Sequence, residues 1–162
     1  MNYETIYFAV LIGIGATITM DIWAWLKRVL FNQASLDYRL VGRWVLHWFC
    51  LTFSHQSIQQ AQVKSGELAV GWLVHYLTGI VFAFGFVAVW GDQWTSPEFI
   101  PAIITGVATI VFPLFVMQPS FGMGIAARKT PKPWLARKNA LITHSIFGLG
   151  LYFSSLLIYW IL

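Results

Sequence analysis

The sequence predicts an all-α fold of integral-membrane type, a four-helix bundle, and three observations lead to it. Hydrophobic residues make up 58% of the chain and charged residues 10%, with nine tryptophans, a balance foreign to water-soluble domains. Four apolar runs, at about 6–26, 68–90, 99–117 and 140–162, each approach the roughly 20 residues that a bilayer core requires. All ten Lys and Arg fall between Lys27 and Lys64 or between Arg128 and Lys138. By the positive-inside bias, the segments at about 27–67 and 118–139 are cytoplasmic, while both termini and the loop after Trp90 lie outside. The 162 residues thus read as a single transmembrane domain.

Position also explains the net charge of +4. The basic clusters sit at span ends, where they set topology and touch anionic lipid, so the lipid bilayer is the expected partner and nucleic acid is not. Cys50 is the only cysteine, which excludes an internal disulfide and a thiolate cluster.

The first span enters from outside, with Gly13, Gly15, Ala16 and Thr17, and ends in Asp21-Ile-Trp23-Ala-Trp25-Leu-Lys27-Arg28. No basic residue precedes it and no cleavage pattern follows it, so it is read as a retained span. In the next segment, Leu40 to Leu51 carries Arg43 and His47 four apart among aromatic and aliphatic residues, the pattern of an amphipathic helix lying in the inner headgroup layer. A loop and a short helix are expected to lead back to the second span. Gly91 to Pro97 is a tight external turn, which makes spans two and three antiparallel neighbours. Pro113 predicts a kink in span three, with Gln118-Pro119 at its inner end. Gln118 to Arg128 is rich in glycine and is expected to fold against the bundle end. Span four carries His144, Gly148 and Gly150.

Two patterns recur. Ala16-Thr17-Ile18 matches Ala108-Thr109-Ile110, and His75 with Gly79 matches His144 with Gly148, which suggests two parallel helical-hairpin repeats. Each histidine also has small residues four places to either side: Gly71 and Gly79 flank His75, and Ala140 and Gly148 flank His144. At helical spacing these share one face, a seam where another backbone comes close.

Counting from the charged span ends, Asp21 and His144 lie about 9 Å into the membrane and His75 about 12 Å, with Gln118 near that level. An aspartate inside a span costs about 2.5–3.5 kcal/mol and needs a partner. Three readings follow. Asp21, His75, Gln118 and His144 form a cytoplasm-facing site for a metal ion, a proton or a small polar ligand, roofed by Arg43, His47, His55 and Glu67. Within it, His75, His144 and Asp21 are a donor set for a transition metal, and the same groups suit a proton relay or general acid–base pair. Alternatively, His75 and His144 are the axial ligands of haem b in a membrane redox protein, the small residues leaving room for the macrocycle. In the third reading the cluster is inert and fixes helix register in a structural or accessory subunit, with a second copy or a membrane partner subunit as its companion. No particular reaction follows from any motif.

Several stretches together carry a family likeness: Thr19-Met-Asp21-Ile-Trp23, Leu40-Val-Gly-Arg43-Trp44 with His47, Ser54-His55-Gln-Ser57-Ile, Gly66-Glu67, Gly71-Trp72 with His75-Tyr76 and Gly79, Met117-Gln118-Pro119 with Gly122, Gly124-Ile-Ala-Ala and Thr130-Pro131, and His144 with Phe147-Gly-Leu-Gly-Leu-Tyr152. Over nearly its whole length the chain resembles the small bacterial membrane proteins catalogued as domain of unknown function 2938. That resemblance implies a four-span bacterial inner-membrane protein and no assigned activity. Trp48-Phe-Cys-Leu-Thr-Phe53 departs from it, being more apolar than the basic, glycine-containing link expected there.

Overall fold

A computed structural model describes residues 3–33 and 35–162. Among them the secondary structure is helical, without strands. The elements are α1 (Tyr3–Phe31), α2 (Tyr38–Trp48), α3 (Glu67–Trp90), α4 (Phe99–Ala108), a π-helical turn (Phe112–Met117), α5 (Gln118–Ser120), a 3-10 turn (Ile125–Ala127) and α6 (Pro133–Ile161). Four stretches are long and apolar enough to cross a membrane: Tyr3–Phe31, Glu67–Trp90, Phe99–Ser120 and Pro133–Ile161. The chain is a multi-pass membrane protein. α1 and α6 reach beyond their apolar runs through basic residues, because a helix continues for as long as its backbone bonds close, not only while its side chains are apolar.

The chain divides into two compact units. The first comprises Met1–Ser35, Tyr76–Thr109 and Ile142–Leu162. Its helices meet through small residues. A methyl group placed on Gly13 of α1 would lie 2.6 Å from the Ile80 Cα of α3. On Gly106 of α4 it would lie 2.5 Å from the Gly148 Cα of α6, and on Gly150 of α6 it would lie 2.7 Å from the Ala16 Cα of α1. Trp90 Nε1 donates to Thr105 Oγ1 at 3.0 Å, linking α3 to α4. These four contacts close a four-helix bundle around Ala9, Ile12, Ala16, Ala83, Phe86, Phe147 and Leu151. The turn between α3 and α4 is organised by Gln93, a buried side chain that donates to Trp90 O at 3.0 Å and accepts from Glu98 N at 3.1 Å. Thr17 and Thr109, the matched threonines of the two hairpins, both turn their hydroxyls onto the preceding helical turn, at Gly13 O (2.7 Å) and Gly106 O (2.6 Å).

The second unit comprises Leu36–His75 and Ile110–Leu141. α2 crosses the start of α3 at Gly42 and Gly71: a methyl on Gly42 would collide with the Glu67 carbonyl and lie 2.7 Å from Gly71 N. Pro113 has no N–H to give to Thr109, and the helix answers with the π-helical turn, in which Gln118 N bonds to Pro113 O. Gly122, at φ +85, brings the following loop against the Gln56 carbonyl, while His55 N donates to Ser120 O (2.8 Å) and Ile58 N to Phe121 O (3.2 Å).

Two expectations for this unit are corrected. α2 stops at Trp48, and the face it buries carries Val41, Arg43, Trp44 and His47. Arg43 and His47 of this helix are therefore buried against protein. The short helix expected before the second span does not form; residues 54–66 are turns and irregular chain, and the carbonyls of Ile58, Gln59 and Ala61 bond to Arg43 instead of closing an α-helical turn.

The glycine contacts give a direct test. Gly106→Ala is expected to lower stability by about 1–3 kcal/mol, the usual range for overpacking, since backbone is all that could yield. Gly85→Ala, with nothing within 4 Å of the added methyl, is expected to be neutral or to stabilise by up to about 1 kcal/mol. Thermal unfolding of both variants in detergent measures the difference.

Candidate functional site

In the first unit, Asp21 and His144 are met by hydroxyls. Tyr76 Oη donates to Asp21 Oδ2 at 2.9 Å, joining α3 to α1. His144 Nδ1 lies 2.7 Å from Thr109 Oγ1, which itself donates to Gly106 O at 2.6 Å. A threonine hydroxyl has one proton, so His144 supplies the proton of the shared bond and its Nδ1 carries hydrogen. The geometry follows from the local backbone. Thr109 ends α4 where Pro113 interrupts the bonding pattern, and Gly106 lets α6 approach closely enough for the imidazole to reach.

In the second unit, Tyr38 Oη is 2.9 Å from His75 Nε2, and the two rings stack with centroids 4.4 Å apart. Trp72 packs on Tyr38 at 4.5 Å and on His75 at 5.9 Å. Gly71 makes this possible by admitting the Tyr38 carbonyl against α3. Gln118 is 8% exposed, and its Oε1 is buried without a hydrogen-bond partner. Such an acceptor calls for a water or a small donor.

Arg43 and Glu67 form a two-pronged ion pair, Nε–Oε2 at 2.8 Å and Nη2–Oε1 at 3.0 Å. Arg43 Nη1 reaches the carbonyls of Ile58 (3.2 Å), Gln59 (3.3 Å) and Ala61 (3.4 Å). The guanidinium is thus the hub around which residues 58–61 fold. The hydrogen bond to Glu67 raises the Arg43 pKa further, against the opposing effect of burial, so Arg43 does not titrate. His47 Nδ1 donates to Arg43 O at 2.8 Å, and its ring meets His55 edge to face at 4.9 Å. His55 Nε2 is buried without a hydrogen-bond partner. Burial, and secondarily the charge His47 can carry, hold the His55 pKa below its ordinary value.

Of the residues singled out in the sequence, Asp21 and His144 belong to the first unit, and His75, Gln118, Arg43, His47 and His55 belong to the second, with Glu67. Arg43 and Glu67 are committed to each other and to the loop, which makes them a structural clamp. The hydroxyl partners Tyr38, Tyr76 and Thr109 were not among the expected site residues. Thr109 stands in the repeated Ala-Thr-Ile, and Tyr76 directly follows His75; Tyr38 lies outside the stretch read as a helix.

Among the described residues, no group of three or more His, Cys, Asp or Glu side chains could hold a metal ion, so the metal set of Asp21, His75 and His144 has no support in the arrangement. Haem does not fit either. His75 Nε2, the nitrogen that would ligate iron, is taken by Tyr38. The small residues that were to leave space are filled: Gly79 by Thr17, Gly148 by Ala102 and Ile103, and Gly71 by Tyr38.

Glu67→Gln leaves a buried guanidinium without its counter-charge and is expected to cost about 3–5 kcal/mol, read as a fall in thermal stability in detergent. Acid acts through His55. The unfolded chain takes a proton at about pH 6.5, while the folded chain resists it until lower pH. Stability contributed by His55 is therefore complete above that value and declines as pH falls through it toward the folded pKa. Proteolysis of residues 49–66 is expected to quicken over that window, and His55→Gln is expected to weaken the dependence.

No curated protein matches the chain, and neither does any solved structure. The family described as "Protein of unknown function (DUF2938)" matches residues 10–158 of the 162, the span that holds every polar residue discussed above, and the chain belongs to that family.

Proposed function

We propose that this is a bacterial inner-membrane protein in which Asp21 and His144 in the first unit, and His75 and Gln118 in the second, each take up a proton or a small polar ligand from the cytoplasmic side. The observation that carries this reading is the chemistry of the partners: Asp21, His75 and His144 each bond to an uncharged hydroxyl, from Tyr76, Tyr38 and Thr109 respectively. A hydroxyl rotates to donate to a carboxylate or to accept from a carboxylic acid, so the hydrogen bond survives a change of protonation. Ionisable groups inside a membrane are costly and are retained for function by default. The unpartnered Gln118 Oε1 adds an acceptor for a small donor.

A second reading, a scaffold with an inert polar cluster, is favoured by one observation: the Thr109–His144 bond stands beside the Gly106–Gly148 crossing, where it would also fix helix register. Infrared titration of the protein in liposomes separates the two. On the proton reading, a carboxyl signal titrates while the protein stays folded, vanishes in Asp21→Asn and shifts in Tyr76→Phe; an imidazole signal behaves likewise in His75→Gln or His144→Gln. If none of these groups titrates and the substitutions lower only thermal stability, the proton reading falls and the scaffold reading stands.

A further inference from the structure

We infer that residues 49–53, the turn after α2, are a membrane-insertion element that enters an anionic leaflet at the basic ends of the spans. The turn is built outward. After α2 ends at Trp48, Cys50 N and Thr52 N both bond to His47 O, at 2.9 and 3.1 Å, and Leu51 adopts φ +54, a left-handed conformation that L side chains rarely take. The effect is to present Phe49 (84% exposed), Leu51 (81% exposed) and Phe53, with Cys50, away from the protein. No charged residue lies in this stretch. It is also held firmly: Trp44 Nε1 donates to Phe53 O at 2.8 Å, and His55 N donates to Ser120 O at the end of the third span. The apolar tip thus shares a unit with the end of a membrane-crossing helix.

Lipid, and not a protein partner, is the occupant that charge and size select. Eight of the ten Lys and Arg lie in this unit, against Asp37 and Glu67. With Arg43 and Glu67 paired, seven basic residues stand against one acid. Apolar side chains amid basic ones are the signature of an element that lies in an anionic interface. A protein interface needs about 1,000 Å² or more, which a five-residue turn does not supply. The spans also already hold the turn at the bilayer, where insertion requires no further encounter.

Cys50, the only cysteine in the chain, allows a test in the full protein. A nitroxide attached to Cys50 is placed in liposomes with and without phosphatidylglycerol, and its collisions with oxygen, which concentrates in lipid, are compared with those of a water-soluble nickel chelate. The control is the same label on Gln60→Cys in a Cys50→Ser background, at an exposed position of the same segment. Insertion predicts an oxygen-to-nickel ratio several-fold higher at 50 than at 60, increased by phosphatidylglycerol and lowered by Phe49→Ser with Leu51→Ser. Equal ratios at the two positions overturn the inference. So does shielding of the label from both reagents, or spin–spin broadening, which would show a protein partner or a second copy on the turn.

Discussion

Backbone approaching backbone is the contact on which the other interactions of this protein depend. In a bilayer there is little hydrophobic gain from packing one apolar helix on another, so association rests on close contact and on polar bonds between helices. Gly13 with Ile80, Gly106 with Gly148, Gly150 with Ala16 and Gly42 with Gly71 bring helices near enough that short side chains reach across. The Thr109–His144 bond spans the Gly106 crossing, and the Tyr38–His75 bond spans the α2–α3 crossing. A larger residue at either place would separate the helices and break the polar bond along with the packing.

Much of this was legible in the sequence for physical reasons that act locally. Span length and the confinement of Lys and Arg follow from the bilayer alone, and the four spans form where the apolar runs lie. The small residues flanking His75 and His144 marked helix seams, and Gly71, Gly79 and Gly148 each receive a neighbouring element. What filled those seams was not legible, so the space they implied for haem is instead taken by Tyr38, Thr17 and the Ala102–Ile103 backbone. That Arg43 lies on the buried face of α2 is fixed by its partner and not by its local pattern. A buried arginine paired to a glutamate 24 residues away has the same local sequence as one that faces headgroups, and only the partner distinguishes them. Tyrosine and threonine hydroxyls carry no comparable local signal, because in membrane helices these residues are common at interfaces and in packing, where no charge reveals a role.

The polar groups fall into two chemically different sorts. Arg43 and Glu67 form a saturated, charged clamp whose role is to shape the loop between α2 and α3. Asp21, His75 and His144 each bond to a hydroxyl, from Tyr76, Tyr38 and Thr109.

The π-helical turn at Phe112–Met117 has a consequence for numbering along the third span. One extra residue per turn advances the helix phase by about 100°. Each side chain beyond it therefore points where its predecessor would point in an unbroken helix. Gln118 takes the azimuth that helical counting from Phe99 assigns to Met117, so a polar amide occupies a direction otherwise given to a thioether. Deleting a single residue within the turn would return the span to an unbroken α-helix and leave the buried amide on the same azimuth, because the lost residue and the lost wide turn cancel.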